Sequence, residues 1–196
     1  ARPMLADPEL VTKAREGRED EINTCIGCNQ ACLDHTFGGN KQVSCLVNPR
    51  ACNETLLNYL PATQKKKIAV VGAGPAGLAF ATVAAQRGHA VTLIDAGSEV
   101  GGQFNLAKRV PGKEEFHETL RYYGTMLRKL GVTQRLNTRA DAAALKAEGF
   151  DTVVVATGIQ PRTPDIPGIN HPKVVPYIDA ILGRRPIGKR VAILGA

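Results

Sequence analysis

The stretch KKIAVVGAGPAG, residues 66 to 77, constrains the fold of this chain more than any other. An apolar run, IAVV, ends on Gly72, Gly74 and Gly77 in the spacing G-x-G-x-x-G. AGLAFATVAAQRG then reads as a helix ended by Gly88. Gly72 permits the tight turn, Gly74 lets the backbone approach a pyrophosphate, and Gly77 lets helix and strand pack closely. The helix N-terminus presents N–H groups and the positive end of its dipole to the phosphates. A second strand, VTLID, ends on Asp95, 18 residues beyond Gly77. A carboxylate there accepts hydrogen bonds from a ribose diol and repels a 2′-phosphate, which favours FAD or NAD over NADP. The bland alternative is a tight turn that holds no ligand.

Further along, KEEFHETLRYYGTMLRKLG places Phe116, Leu120, Tyr123, Met126, Leu127 and Leu130 on one helical face, and Gly131 stops it. VTQRL reads as a strand, DAAALKAEG as a short helix and TVVVA as a further buried strand. Alternating strands and helices imply an α/β fold with a parallel, Rossmann-like sheet. EVGGQFNLA, with Gly102 and Gln103, and ATG at 156 to 158 resemble the motifs that line the flavin pyrophosphate in disulfide-reductase-like folds. They favour FAD over NAD. Upstream, DPELVTKAREGRED predicts one helix capped by Asp7 and Pro8. Residues 159 to 189 hold six of the twelve prolines, with YIDAILG as a short helix among them, and read as a connection between domains.

All five cysteines lie between residues 25 and 52. Cys25, Cys28, Cys32 and Cys45 are spaced C-x2-C-x3-C-x12-C, and Gly38 and Gly39 let the intervening loop turn back. Such clustering points to a metal site in a reducing compartment rather than to disulfides. Zinc sites more often pair two C-x2-C knuckles across a long gap. Three close cysteines and one distant cysteine suit an iron–sulfur cluster better, with zinc as the alternative. Cys52 reads as a small buried residue and His35 as a polar loop residue rather than a ligand.

The formal net charge of +7 raises the question of nucleic acid, but the basic residues are scattered and the chain has no Trp. Stacking platforms are scarce, so nucleic-acid binding is not expected. A positive field suits anionic dinucleotides or an acyl-CoA equally well. The apolar runs fall far short of the roughly 20 residues of a membrane helix, and ARPMLADPEL has no secretory pattern. A cytoplasmic protein with no membrane partner is the expectation; the oligomeric state is left open.

A cysteine cluster directly before an FAD fingerprint, with SCLVNPRAC between them, resembles the 2,4-dienoyl-CoA reductase (NADPH) family. That family lies within the trimethylamine dehydrogenase and old yellow enzyme-like group of iron–sulfur flavoproteins. The resemblance implies a division into residues 1–20 as the end of a TIM barrel, 21–62 as the cluster segment and 63–160 as the FAD domain. Residues 161–188 would be the interdomain connection, and 189–196 the first strand of a truncated NADPH-binding domain. It implies a 4Fe-4S cluster on Cys25, Cys28, Cys32 and Cys45. FAD would be met by the turn around Ala76, by Asp95, by Gln103, and at Lys113 and Ala140; Ala1 and Arg2 would sit at an FMN phosphate. The complete enzyme would pass electrons from NADPH to FAD, the cluster, FMN and an unsaturated acyl-CoA. No catalytic residue falls within this chain, which as an isolated piece is expected to be inactive. Rival readings are an amine dehydrogenase of the same group, with ADP at the FAD position, and a glutamate synthase small-subunit-like electron carrier. A zinc-stapled nucleotide-binding module without redox role is the reading from another class.

Overall fold

The computed structural model describes residues 1–39 and 41–195. The chain opens with short helices α1 (Arg2–Ala6) and α2 (Leu10–Arg15) and a 3-10 turn at Glu19–Glu21. The single helix expected from Asp7 onward is therefore broken. Gly17 adopts φ +68, a left-handed conformation that ends the helical run. After α3 (Leu33–Phe37) the regular fold begins with β1 (Lys67–Val71), α4 (Pro75–Gln86) and β2 (Ala90–Ile94). It continues through α5 (Phe104–Ala107), α6 (Phe116–Lys129), β3 (Thr133–Arg135), α7 (Ala142–Ala147), β4 (Thr152–Val155) and α8 (Tyr177–Ile181). No helix among the described residues is long and apolar enough to cross a membrane.

The four strands form a parallel sheet in the order β3-β2-β1-β4. The registers Lys67↔Ala90 and Ile68↔Thr152 align the strand ends so that the turns following β1, β2 and β4 meet at one edge. Leu78, Ala81 and Ala84 of α4 and Leu127 of α6 cover Ile68, Val70, Val91 and Leu93 of the sheet. Each fully buried Leu or Val contributes about 1.5–3 kcal/mol. TVVV was expected to be a buried strand, but β4 lies at the sheet edge and leaves Val153 and Val155 exposed. β-branched composition reports strand propensity, not the number of neighbours a strand receives. Residues 191–195, expected as a strand, carry no ladder; a strand needs a partner, and none lies alongside among the described residues. The last residue of that expected strand, Ala196, is outside the described residues.

Two features of this scaffold carry predictions. The Asp7 carboxylate, 3% exposed, accepts from the N–H groups of Glu9 and Asn23 and from Lys13 Nζ at 2.7 Å. It joins the N-terminal helices to the chain two residues before Cys25. Asp7→Ala orphans the Asn23 N–H and leaves the largely buried Lys13 ammonium with the Glu21 carbonyl in place of its close carboxylate partner, and chemical denaturation should register a loss of about 2–3 kcal/mol. On α6, burial raises the Tyr122 phenol well above its ordinary value, and burial first, then Tyr59, raises Tyr123 from 10.0 to about 12. The folded state thus favours the neutral phenols. The Tyr123 contribution to stability is full below pH 10 and is lost as the pH rises towards about 12, with Tyr122 acting in the same direction. In an alkaline titration their tyrosinate absorbance should emerge only near that upper limit, together with loss of helical circular dichroism.

Candidate cofactor sites

The glycine turns meet as the spacing predicts. Gly72 has φ +108, and a Cβ there would run into the Ala156 carbonyl at the end of β4. A Cβ on Gly77 would overlap the carbonyl oxygen of Gly72, while one on Gly74 meets nothing within 4 Å. The space above Gly74 is therefore open, and the first turn of α4 points into it with N–H groups that have no intrahelical acceptor. Gly102, with φ +52, backs onto Gly74, its virtual Cβ lying 3.0 Å from the Gly74 Cα. The Gly101 N–H donates to the Ala73 carbonyl at 2.7 Å. Gln103 donates through Nε2 to the Ile159 carbonyl at 3.0 Å and so ties the GGQ turn to the ATG turn.

Asp95 sits at the end of β2. Its Oδ2 accepts from the Ala73 N–H and its Oδ1 from the Gly97 N–H, both at 2.6 Å. Each carboxylate oxygen retains a lone pair for a ribose hydroxyl. The segment leading to Ala140 runs alongside, with Asn137 donating to the Gly97 carbonyl and Thr138 to that of Asp95. Ala140 is half-buried at its end, immediately before the helix cap Asp141. Lys113 sits between α5 and α6, with its ammonium 5.3 Å from the Phe116 ring centroid.

Cys25, Cys28, Cys32 and Cys45 line one pocket with Arg2, Leu5, Ile26, Asn29 and Val47. Gly27 and Asn29, with φ +64 and +60, turn the chain between the first three cysteines. The Ser44 N–H donates to the Ala31 carbonyl at 2.7 Å and closes the loop that returns Cys45. Burial raises the Cys45 thiol above its ordinary value, the backbone N–H groups of Val47 and Asn48 pull it down, and Cys25 and Cys28 push it further up. Protonation of such a set ends when a cation is bound, and N–H donors to sulfur are what tune a cluster. Among the described residues no three His, Cys, Asp or Glu side chains converge closely enough to hold a single ion; the four thiols ring a space instead. The donor set, four cysteines lining one pocket, fits a thiolate-bound cluster.

Cys52, expected to be buried, is exposed and adopts φ +62. It occupies a turn, held by hydrogen bonds from its N–H to Glu54 and from Gln42 to its carbonyl, rather than a core position. His35, expected in a loop, lies instead in α3, with its Nδ1 2.9 Å from the Gln42 carbonyl. Sequence reasoning did not place Arg2 at the cysteine pocket, where its Nη1 donates to Asn29 Oδ1 at 2.5 Å. No periodicity or spacing links residues so far apart, and the left-handed Asn29 is the local cause. Ala1, expected beside Arg2 at an FMN phosphate, is exposed at the start of α1.

A parallel sheet with three glycine-bearing turns around the N-terminus of α4 and an acid at the end of β2 defines a dinucleotide-binding oxidoreductase fold. The chain belongs to the pyridine nucleotide-disulphide oxidoreductase family, whose pattern matches residues 66–196. It is 44% identical over 199 residues to the metal reductase of Desulforamulus reducens, covering 100% of this chain and 30% of that protein. The solved complex of 2-naphthoyl-CoA reductase with 2-naphthoyl-CoA superposes with a TM-score of 0.91 at 42% identity, covering 96% of this chain and 29% of that one. The 6-hydroxypseudooxynicotine amine oxidase of Pseudomonas geniculata superposes at 0.85 with 34% identity, covering 95% and 30%. The chain spans about three tenths of the length of these relatives.

Proposed function

We propose that this chain is the cluster-and-FAD portion of an NADPH-dependent iron–sulfur flavoprotein reductase acting on conjugated acyl-CoA thioesters of the 2,4-dienoyl-CoA class. The observation that carries this reading is the pairing of two sites: four cysteines around one pocket, directly upstream of a complete dinucleotide cradle. When bound, FAD supplies two-electron exchange with NADPH, a 4Fe-4S cluster supplies one-electron relay, and FMN supplies hydride to the substrate.

The chain's own residues have narrower tasks. Cys25, Cys28, Cys32 and Cys45 would hold the cluster, and Val47 and Asn48 would direct N–H groups at Cys45 Sγ. Gly72, Gly77 and Gly102 remove the Cβ atoms that would clash with the backbone packed around the cradle, Gly74 keeps its space open, and Ala76 and Gly77 offer first-turn N–H groups to the pyrophosphate. Asp95 would take the adenosine ribose, with Ala140 near the adenine. Lys113 and Gln103 would meet the flavin, and Ala1 and Arg2 an FMN phosphate.

Similarity to a reductase solved with an aromatic acyl-CoA supports the thioester class, since both substrates place unsaturation in conjugation with the carbonyl. Similarity to an amine oxidase supports a second reading, amine oxidation in the same scaffold. The protein containing this chain, assayed anaerobically, separates them. NADPH consumption that depends on a 2,4-dienoyl-CoA is the expected result. Reduction of a dye by a secondary or tertiary amine, with no NADPH oxidation in the presence of any enoyl-CoA, would overturn it.

A further inference from the structure

The cysteine segment has little core of its own, yet it is fastened to α6 by side chains about a hundred residues away, chiefly Arg121. Arg121 spends its Nε on Glu118 Oε2 at 2.6 Å, which fixes the plane of the guanidinium. Its Nη1 donates to the carbonyls of Asp20 at 2.6 Å and Glu19 at 3.3 Å. Its Nη2 donates to the Ile22 carbonyl at 2.9 Å and lies 3.4 Å from Thr24 Oγ1. Thr24 precedes Cys25. Lys13 Nζ takes the remaining carbonyl of the run, Glu21, at 3.1 Å.

Lys129, on the same helix, pairs with the Glu21 carboxylate at 2.6 Å. That hydrogen bond is the main reason the Glu21 carboxyl lies below its ordinary value, with Arg18 adding to it. The opposite side of α6 is anchored in the core through Leu127. A rigid element thus bears on the glycine turns through the sheet and on the cysteines through Arg121. Only a planar fork with five donors can reach several carbonyls at once; an ammonium acts as a point.

We propose that Arg121 is a positioning residue that holds residues 19–24, and with them Cys25, against α6, so that the cluster pocket keeps a set separation from the flavin cradle. This rests on reading the cysteines as a cluster site and the glycine turns as an FAD site. The step affected is the passage of one electron from reduced flavin to oxidised cluster, with NADPH as the reductant. Electron transfer falls off with the separation of donor and acceptor, so a displaced cluster segment slows it.

The test compares Arg121→Ala and Arg121→Lys with wild type in the cofactor-loaded protein that contains this chain. Both variants should keep wild-type flavin and iron contents and reduce flavin with NADPH at the wild-type rate. Cluster reduction, followed by rapid mixing, should slow severalfold in both. A second readout needs no cofactor activity: amide hydrogen exchange of residues 19–28 should quicken about tenfold or more, with β1 and β2 unchanged. Unchanged cluster reduction in a protein that holds both cofactors overturns the proposal and leaves the functional reading intact. Exchange that rises equally in β1 and β2 also overturns it, since Arg121 would then support the fold at large. If wild type holds no cluster or flavin, the functional reading fails, and unchanged exchange over residues 19–28 still overturns the clamp.

Discussion

Gly77→Ala collapses the FAD site and the βαβ unit together, with a stability loss above about 4 kcal/mol. The reason is geometric. The new Cβ would occupy the position of the Gly72 carbonyl oxygen, a backbone atom that no rotamer change can move. Relief requires α4 to lift from β1, which opens the contacts of Leu78, Ala81 and Ala84 with Val70 and Leu93. Gly74→Ala separates folding from binding. Its Cβ meets nothing within 4 Å, and its φ of −75 suits any residue. As the N-cap of α4 it should lose about 1 kcal/mol or less, so the protein stays folded. FAD affinity should fall sharply, because the methyl group enters the space that the pyrophosphate would take. Thermal melts and flavin titrations on the two variants check both halves.

The second large effect lies at the cysteines. Cys28→Ser leaves three thiolates around the pocket and should remove most of the iron and acid-labile sulfide, as should the same change at Cys25, Cys32 or Cys45. Cys52→Ser should keep wild-type contents, because Cys52 is exposed in a turn outside the set that lines the pocket. The reducing conditions must match between samples, since uncoordinated thiols would oxidise. A protein in which Cys52 matters as much as Cys28 would have a different ligand set from the one described.

The βαβ unit was legible in the sequence because local signals agreed there: a β-branched run ending on the G-x-G-x-x-G turn, then a helix-forming run ended by Gly88. The GGQ and ATG turns were legible through their resemblance to flavin-lining motifs. What the sequence hid depends on distant partners. TVVV reads alike for a central and an edge strand, so the exposure of Val153 and Val155 had no local sign. The N-terminal helix looked continuous because its charged residues are good helix formers, yet the left-handed Gly17 divides it. Nothing in the sequence singles out Arg121; its role appears only once residues 19–24 lie against α6. Arg2 meets the cysteine pocket through Asn29, a contact across 27 residues that no spacing rule describes. Cys52 followed the general tendency of free cysteine to be buried, and the local demand for a left-handed residue overrode it.

The most direct measurement is an anaerobic ultraviolet–visible spectrum of the purified protein, with iron, zinc and acid-labile sulfide assayed on the same sample. An electron relay requires a broad absorbance shoulder in the blue, about four irons and about four sulfides per chain, and flavin released on denaturation. A colourless protein carrying one zinc per chain would contradict it and leave a metal-stapled nucleotide-binding module in its place.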